Sequence, residues 1–288
     1  MAEARRLLHF RQLPRKVHMG DETTRHPITK QPVVYRIEGM DRVTVRRDVE
    51  YRRTSAGALT LDLYDPPDAK PEELLPAVIF ITGFTDAGFQ SRLGCMQKEM
   101  ASYISWARLT AASGLVAITY TNGEPASDAL AVLRYVRQNA RSLGIDGDAI
   151  GVWACSGNVP TALSILMQEP SRCAVLCYGF MLDLDGSTGI ADAQKQWGFA
   201  NPSAGKSVDD LPHDLPLLIV RAGKDEFPHL NEMIDRFTAK ALARNLPVTL
   251  VNHASGPHSF DLFDDSERSR EIVRQVLAFM RARLLAGG

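Results

Sequence analysis

Ile150-Gly151-Val152-Trp153-Ala154-Cys155-Ser156-Gly157-Asn158-Val159-Pro160 is the stretch on which the reading of this chain turns. Its first half is short, apolar and bounded by turn residues, as a buried strand is. Its second half opens a helix through Val159, Ala162, Leu163 and Leu166. Ser156 sits between the two, with Ala154 two positions before it and Gly157 directly after. A nucleophile on so tight a strand-to-helix turn needs small neighbours, because larger side chains there would meet the adjoining strand and helix. Its hydroxyl then stands near a helix N-terminus, where free backbone N–H groups can receive a developing oxyanion. The run departs from Gly-x-Ser-x-Gly at both glycine positions, where Ala154 and Asn158 stand. An ordinary buried strand-turn-helix carries the same pattern, so the company the serine keeps has to decide.

Upstream, Val43, Val45, Val49 and Tyr51 alternate with polar residues, and Leu59, Leu61 and Leu63 do likewise until Pro66-Pro67. Such alternation predicts half-exposed antiparallel strands at a sheet edge. Ala77 to Ile81 and Leu115 to Ile118 are instead continuous apolar runs, as expected of central parallel strands covered on both faces. Between them the spacing predicts a loop rich in Gly and Gln, then a helix through Tyr103, Trp106, Leu109 and Thr110. A further helix shows Leu133, Val136, Ala140 and Leu143 on one face and stops at Gly144, with Gly147 in the turn into the Ser156 strand.

Downstream, Cys173 to Phe180 predicts another buried strand, and residues from about 181 to 213 have no clean period. That segment is expected to form a small cap insertion over the strand ends. Pro216 to Val220 and Val248 to Val251 complete the sheet, separated by a helix through Leu230, Ile234, Phe237 and Leu242. A closing helix places Ile272, Val273, Val276, Leu277, Met280 and Leu284 on one face, with Asp264-x-x-Glu267 as its expected capping box. Two alternating strands followed by strand and helix in turn give an α/β chain with a mostly parallel, doubly wound sheet and antiparallel N-terminal strands. The expected division is an N-terminal arm over residues 1–35 and one domain over 36–288.

Composition narrows the function. The chain has 288 residues, 45% of them hydrophobic, enough for one large α/β domain with a buried core. A formal net charge of -1 offers no electrostatic case for nucleic acid or an anionic membrane. The four cysteines, Cys95, Cys155, Cys173 and Cys177, show no metal-ligand spacing, and no metal site or cofactor is expected. No apolar run is long enough to span a bilayer, and the N-terminus has no secretory apolar core, so the expected setting is cytoplasmic and reducing. The polar, Arg-rich arm is expected to lie on the domain or on a second subunit, which would make a homodimer.

Candidate chemistry falls after the strand ends, where open α/β sheets bind ligands. Thr82-Gly83-Phe84-Thr85 comes after one strand, Ser156 after another, Gly223-Lys224-Asp225 after a third, and Gly256-Pro257-His258-Ser259 after the last. The order is serine, acid, histidine. In this order and spacing, residues from roughly 40 to 285 resemble the α/β-hydrolase superfamily, in its esterase/lipase and dienelactone-hydrolase-like branch. The resemblance implies an α/β-hydrolase fold, with Ser156 as nucleophile, His258 as general base and Asp225 as the acid that orients it. It implies an oxyanion hole from the backbone N–H groups of Phe84 and Gly157. Glu226 is the rival acid and His253 the rival base, although His253 still belongs to its strand's alternation. Cys155 invites a thiol reading, but Trp153 two residues before it is too large for that register. Thr82 stands where many relatives carry histidine.

Phe84, Phe89, Trp106, Trp197 and Phe199 are the candidate substrate-facing groups, with Trp106 equally well explained by the core. A nearly apolar pocket suits acyl or aryl esters. The expected activity is therefore that of a serine carboxylesterase acting on small to medium esters through an acyl-enzyme. The alternatives are a non-catalytic ligand-binding protein on a hydrolase scaffold, and a lactonase or acyl-peptidase.

Overall fold

A computed structural model of the chain describes residues 25–70 and 72–285. Among the described residues eight strands form one sheet: β1 (Thr44–Thr54), β2 (Gly57–Asp65), β3 (Leu75–Phe80), β4 (Val116–Tyr120), β5 (Ile145–Cys155), β6 (Cys173–Cys177), β7 (Leu217–Ala222) and β8 (Val248–His253). Their order across the sheet is β1-β2-β4-β3-β5-β6-β7-β8. β1 pairs antiparallel with β2, and β2 with β4; every other pairing is parallel. The alternating segments thus lie at one edge and the continuous apolar runs in the middle, as their covering requires.

Helices α1 (Asp86–Leu93), α2 (Ala101–Ala112), α3 (Pro125–Gln138), α4 (Ala140–Leu143), α5 (Val159–Leu166), α6 (Gly189–Trp197), α7 (Leu230–Ala243), α8 (Phe260–Phe263) and α9 (Glu267–Leu284) follow in chain order. On one face of the sheet, Ile79, Val152, Leu176 and Ile219 join Leu133 of α3, Leu163 of α5 and Phe237 of α7 in one core. On the other, Phe80, Trp153, Val175 and Val220 join Trp106 of α2 and Val276 of α9. Burying a large aliphatic side chain stabilises by roughly 1.5–3 kcal/mol, so the period-two strands and the apolar helix faces together set this sandwich.

Several local expectations give way. The segment predicted as a Gly- and Gln-rich loop holds α1, because Thr85 Oγ1 accepts from Gly88 N at 3.1 Å and Gly94 closes the helix with φ 81. Gly147 lies inside β5 rather than in a turn before it, and β6 ends at Cys177, short of Phe180. Leu242 is 57% exposed; Ala241 takes the buried place beside Phe237. The residues from 181 to 213 hold α6 and a 3-10 turn, Val208–Asp210.

The first 24 residues of the expected arm lie outside the described residues. Its remainder packs on the domain: Ile28 and Val33 are buried, His26 N donates to Leu93 O at 3.0 Å and Val34 N to Asp261 O at 2.8 Å. Among the described residues no helix is long and apolar enough to cross a membrane.

The Asp264–Glu267 capping box does not form. Ser266 stands directly before the first turn of α9 and accepts from Ser269 N at 3.2 Å. Asp264, two residues earlier and extended, accepts from the hydroxyls of Ser266 and Ser269 and from His253 Nε2. Ser266→Ala should therefore lower the unfolding free energy by about 1 kcal/mol, whereas Glu267→Ala should stay within about 0.5 kcal/mol of the parent. Urea unfolding of the two variants checks which residue is the cap.

Candidate active site

β5 lies in the middle of the sheet, between β3 and β6, and ends at Cys155. The next residue, Ser156, has φ 53, in the left-handed region that L side chains rarely adopt. The chain then makes a 3-10 turn over Ser156–Asn158 and continues as α5. Space around this elbow is used up. A Cβ on Gly157 would lie 2.8 Å from the Phe199 ring and 3.1 Å from that of Phe84, and one on Gly179 would lie 2.2 Å from Val159. Small residues are therefore a steric requirement of the turn.

His258 and Asp225 come from the loops after β8 and β7, and these loops are fastened to each other. Gly223 N donates to His253 O at 2.8 Å, and Lys224 N to Gly256 O at 2.9 Å. A Cβ on Gly223 would meet Ala254 O at 2.5 Å, so the approach depends on glycine. The result brings together the three side chains singled out in the sequence. His258 Nε2 lies 2.9 Å from Ser156 Oγ, and His258 Nδ1 lies 2.6 Å from Asp225 Oδ2. With Nδ1–H donating to the carboxylate, Nε2 is left to accept from the serine hydroxyl. Asp225 Oδ1 accepts from Phe227 N at 3.0 Å, and its side chain is fully buried. Phe227 and Tyr178 pack edge-on against the imidazole, with ring centroids at 4.5 and 5.0 Å.

The rivals fall elsewhere. Glu226 is exposed, while Asp225 holds the imidazole. His253 bolts β8 to α9 through Asp264 and Ser269, each 3.0 Å from its Nε2. Cys155 lines the same cavity as Ser156, but burial pushes its thiol up to about 12, which leaves it protonated near neutral pH. Among the described residues no group of three His, Cys, Asp or Glu side chains is placed to hold a metal ion.

A cavity of about 500 Å³ opens over Ser156, and its lining includes Gly157 together with Phe84, Phe89, Trp106, Trp197 and Phe199, the candidate substrate-facing residues of the sequence. Sequence reasoning missed Phe180 and Phe227, which complete the aromatic wall: Phe180 stacks on Phe199 at 5.1 Å, and Phe227 meets Trp197 at 5.4 Å. Neither carried a motif, so only the folded contacts reveal them.

It also missed how the loop of Thr82 to Thr85 is held. Asn158, the apparent blemish in the serine motif, is 2% exposed and accepts from Gly83 N at 2.6 Å and from Gln97 Nε2 at 3.1 Å. Its own Nδ2 donates to Tyr103 OH at 2.8 Å. A Cβ on Gly83 would lie 2.5 Å from Gly157 O, so the loop backbone rests directly on the elbow. On its far side Thr82 N donates to the hydroxyl of Tyr120, and Asn122 Nδ2 donates to Thr82 Oγ1 at 2.8 Å and to Phe84 O at 3.1 Å. Asn122 is itself held by Asp86, whose Oδ2 accepts from Asn122 N at 2.8 Å.

Two substitutions probe this support. Asn158→Gly restores the glycine of the motif yet strips Gly83 N and Tyr103 OH of a partner, and should cost about 2–4 kcal/mol of stability in urea unfolding. Burial pushes Asp86 up from 3.8 to about 6, so the folded state keeps a proton that the unfolded chain has already released. Stability from this group is complete below the unfolded value and is lost as pH rises through the folded one. Asp86→Asn, whose amide oxygen still accepts from Asn122, should raise Tm at about pH 8, with the gain shrinking towards about pH 4. Thermal scans across that range read the slope.

No protein-family model and no curated protein matches the chain. Solved structures do. An esterase from the planctomycete Thermogutta terrifontis, Est2, with butyrate bound is 20% identical with a TM-score of 0.64, over 86% of this chain and 98% of that one. The same enzyme phosphorylated by paraoxon is 21% identical at 0.62, over 86% and 95%. A mutant of the esterase rPPE is 16% identical at 0.63, over 87% and 85%. With its strand order, its elbow after the middle strand and these likenesses over most of its length, the chain has the α/β-hydrolase fold.

Proposed function

We propose that the protein is a serine esterase that cleaves small to medium carboxylic esters through an acyl-enzyme. The observation that carries this reading is the unbroken chain of contacts from Ser156 Oγ to His258 Nε2, at 2.9 Å, and from His258 Nδ1 to Asp225 Oδ2, at 2.6 Å. Ser156 Oγ attacks the ester carbonyl carbon and gives its proton to His258 Nε2. The tetrahedral intermediate collapses, the C–O bond to the alcohol breaks, and His258 returns the proton to that leaving oxygen. Water, deprotonated by the same imidazole, then attacks the acyl-serine and releases the acid. Asp225 keeps the ring in the tautomer that accepts from serine and stabilises its cation.

The carbonyl oxygen becomes an anion in both steps and needs donors fixed in advance. Gly157 N–H, next to the nucleophile, and Phe84 N–H are assigned this role. Gly83 N–H is already given to Asn158, which leaves that of Phe84 as the next one along the loop. Asn158 and Thr82, the two departures that would suit a retired scaffold, each hold this loop by hydrogen bonds. Phe84, Phe89, Trp197 and Phe199 give the reacting ester an apolar seat, which supports acyl or aryl groups as its arms. Est2 holding butyrate, and reacting with paraoxon, fits a short acyl chain and an activated nucleophile in a site of this fold. Four free thiols agree with a reducing, cytoplasmic setting.

Ser156→Ala should lower turnover of nitrophenyl esters by about 10⁴–10⁶. A fluorophosphonate should label the parent at Ser156 and leave that variant unlabelled, as peptide mass spectrometry will read. Ligand binding without turnover across an ester panel would instead favour a binding protein. Labelling of another residue would overturn the choice of nucleophile.

A further inference from the structure

A run of apolar side chains leads from the elbow to the N-terminal arm. Phe84 begins it, since its ring lies 3.1 Å from where a Cβ on Gly157 would stand. The Phe89 ring follows, edge-on to that of Phe84 with centroids 5.6 Å apart. Leu93 comes four residues after Phe89 on α1, about 6 Å further along the helix. These two are the buried residues of α1, so they share its inward face. The arm meets α1 at that end: His26 N donates to Leu93 O at 3.0 Å, and Ile28 stands two residues on. Phe84, Phe89, Leu93 and Ile28 all line the cavity over Ser156.

Ile28 is held in place from both sides. It lies in a 3-10 turn, Pro27–Lys30, capped by His26, whose Nδ1 accepts from Ile28 N at 3.3 Å. The His26 carbonyl accepts from the Thr29 hydroxyl at 2.7 Å. Beyond the turn, Val33 N donates to Ser105 Oγ of α2 at 2.9 Å, and Val34 N to Asp261 O of α8 at 2.8 Å. The three helices that fasten the arm also line the cavity, through Leu93 of α1, Trp106 of α2 and Asp261 of α8. A terminal segment tied down in this way keeps its place where a loose one does not.

The triad makes no use of the arm: the side chains of Ser156, His258 and Asp225 bond to one another and to Phe227 N. Ile28 is therefore a wall of the binding space and has no part in proton transfer. An apolar wall selects an alkyl chain, because each methylene buried against it is favourable, and a chain that outgrows the space must displace packed side chains. A charged or strongly hydrated arm would give up its water there and find no polar partner in the side chains of Phe84, Phe89, Leu93 or Ile28.

We propose that the N-terminal arm completes the substrate cavity, with Ile28 as the residue that sets how long an unbranched alkyl arm of the ester can be. The inference rests on the esterase reading above and narrows its substrate class to esters with an aliphatic arm. The acyl side and the alcohol side are both sources of such an arm, and two substrate series separate them.

The test measures kcat/KM for nitrophenyl esters from acetate to decanoate, and for acetates of straight-chain alcohols from ethanol to decanol, in the parent, Ile28→Ala and Ile28→Phe. In one series the ratio of the eight-carbon to the four-carbon substrate should rise on the order of 10-fold in Ile28→Ala and fall by a similar factor in Ile28→Phe. Each ratio is taken within one preparation, so a partly folded variant does not alter it. Ratios that match the parent in both series, with rates falling alike at every chain length, assign Ile28 to packing alone and overturn the proposal. Calorimetry of straight-chain alcohols from butanol to octanol on the parent and Ile28→Ala reads the cavity without turnover. The length at which affinity stops rising should be greater in the variant, and the same length in both overturns the inference. If the parent neither turns over esters nor takes a fluorophosphonate label, the esterase reading fails, and the calorimetric comparison still decides this one.

Discussion

The contact on which the site depends is backbone against backbone: Gly83 lies so close to the turn after β5 that a methyl group there would sit 2.5 Å from Gly157 O and 2.9 Å from the Asn158 Cα. Such an approach excludes water and any side chain. The Gly83 N–H is then buried and must find an acceptor within the protein. Asn158 Oδ1 supplies it at 2.6 Å. One hydrogen bond thus joins the loop after β3 to the elbow after β5, two elements that must keep a fixed spacing if donors on both are to meet one carbonyl oxygen. The same amide reaches Tyr103 on α2 and Gln97 ahead of it, so the elbow is anchored to the helix layer as well as to the neighbouring strand.

The imidazole is positioned by a parallel device. Loops after β7 and β8 share hydrogen bonds at Gly223 and Lys224, and the close pass between them again requires glycine, since a Cβ on Gly223 would meet Ala254 O. Asp225 and His258 are therefore presented by two loops that are hydrogen-bonded to each other. Rigid presentation matters because a hydrogen-bonded chain of three side chains works only within a few tenths of an ångström. The strained φ of Ser156 belongs to the same scheme. Strain at one residue is affordable when the strand behind it and the helix ahead of it are both buried, as β5 and α5 are.

What was legible in the sequence follows from how each signal arises. Strand order class and core faces came from periodicity, because burial selects apolar side chains one residue at a time: every residue assigned to the apolar face of α9 is buried. Ser156, Asp225 and His258 were legible as candidates because Ser156 directly follows a strand and the other two lie in the glycine-bearing loops after β7 and β8. Asn158 was read as a departure from a motif, and its value appears only once Gly83, Gln97 and Tyr103, distant in sequence, surround it. Short helices with caps of a single residue, such as α1, escape periodicity because eight residues hold barely two turns. The capping box before α9 shows the opposite error. A correct pattern was present, but Ser266 lies closer to the first turn, and Asp264 was drawn into the pairing of His253 with Ser269.

Asp261 shows how far this tertiary logic reaches. It lies three residues beyond His258, and α8 carries it to the lining of the cavity, where Trp106 and Tyr178 donate to it. Burial raises its carboxyl above the usual range, and the two donors oppose that rise. A group so placed is costly as an ion, yet a hydrophobic residue of similar size would leave the buried Trp106 and Tyr178 donors unpaired. The stretch whose His258 faces Ser156 thus also carries a second polar side chain to the cavity lining, so the imidazole and the Asp261 carboxyl are positioned by one short stretch of chain. A change in that stretch therefore bears both on the contacts of Asp261 and on the contact of His258 with Ser156.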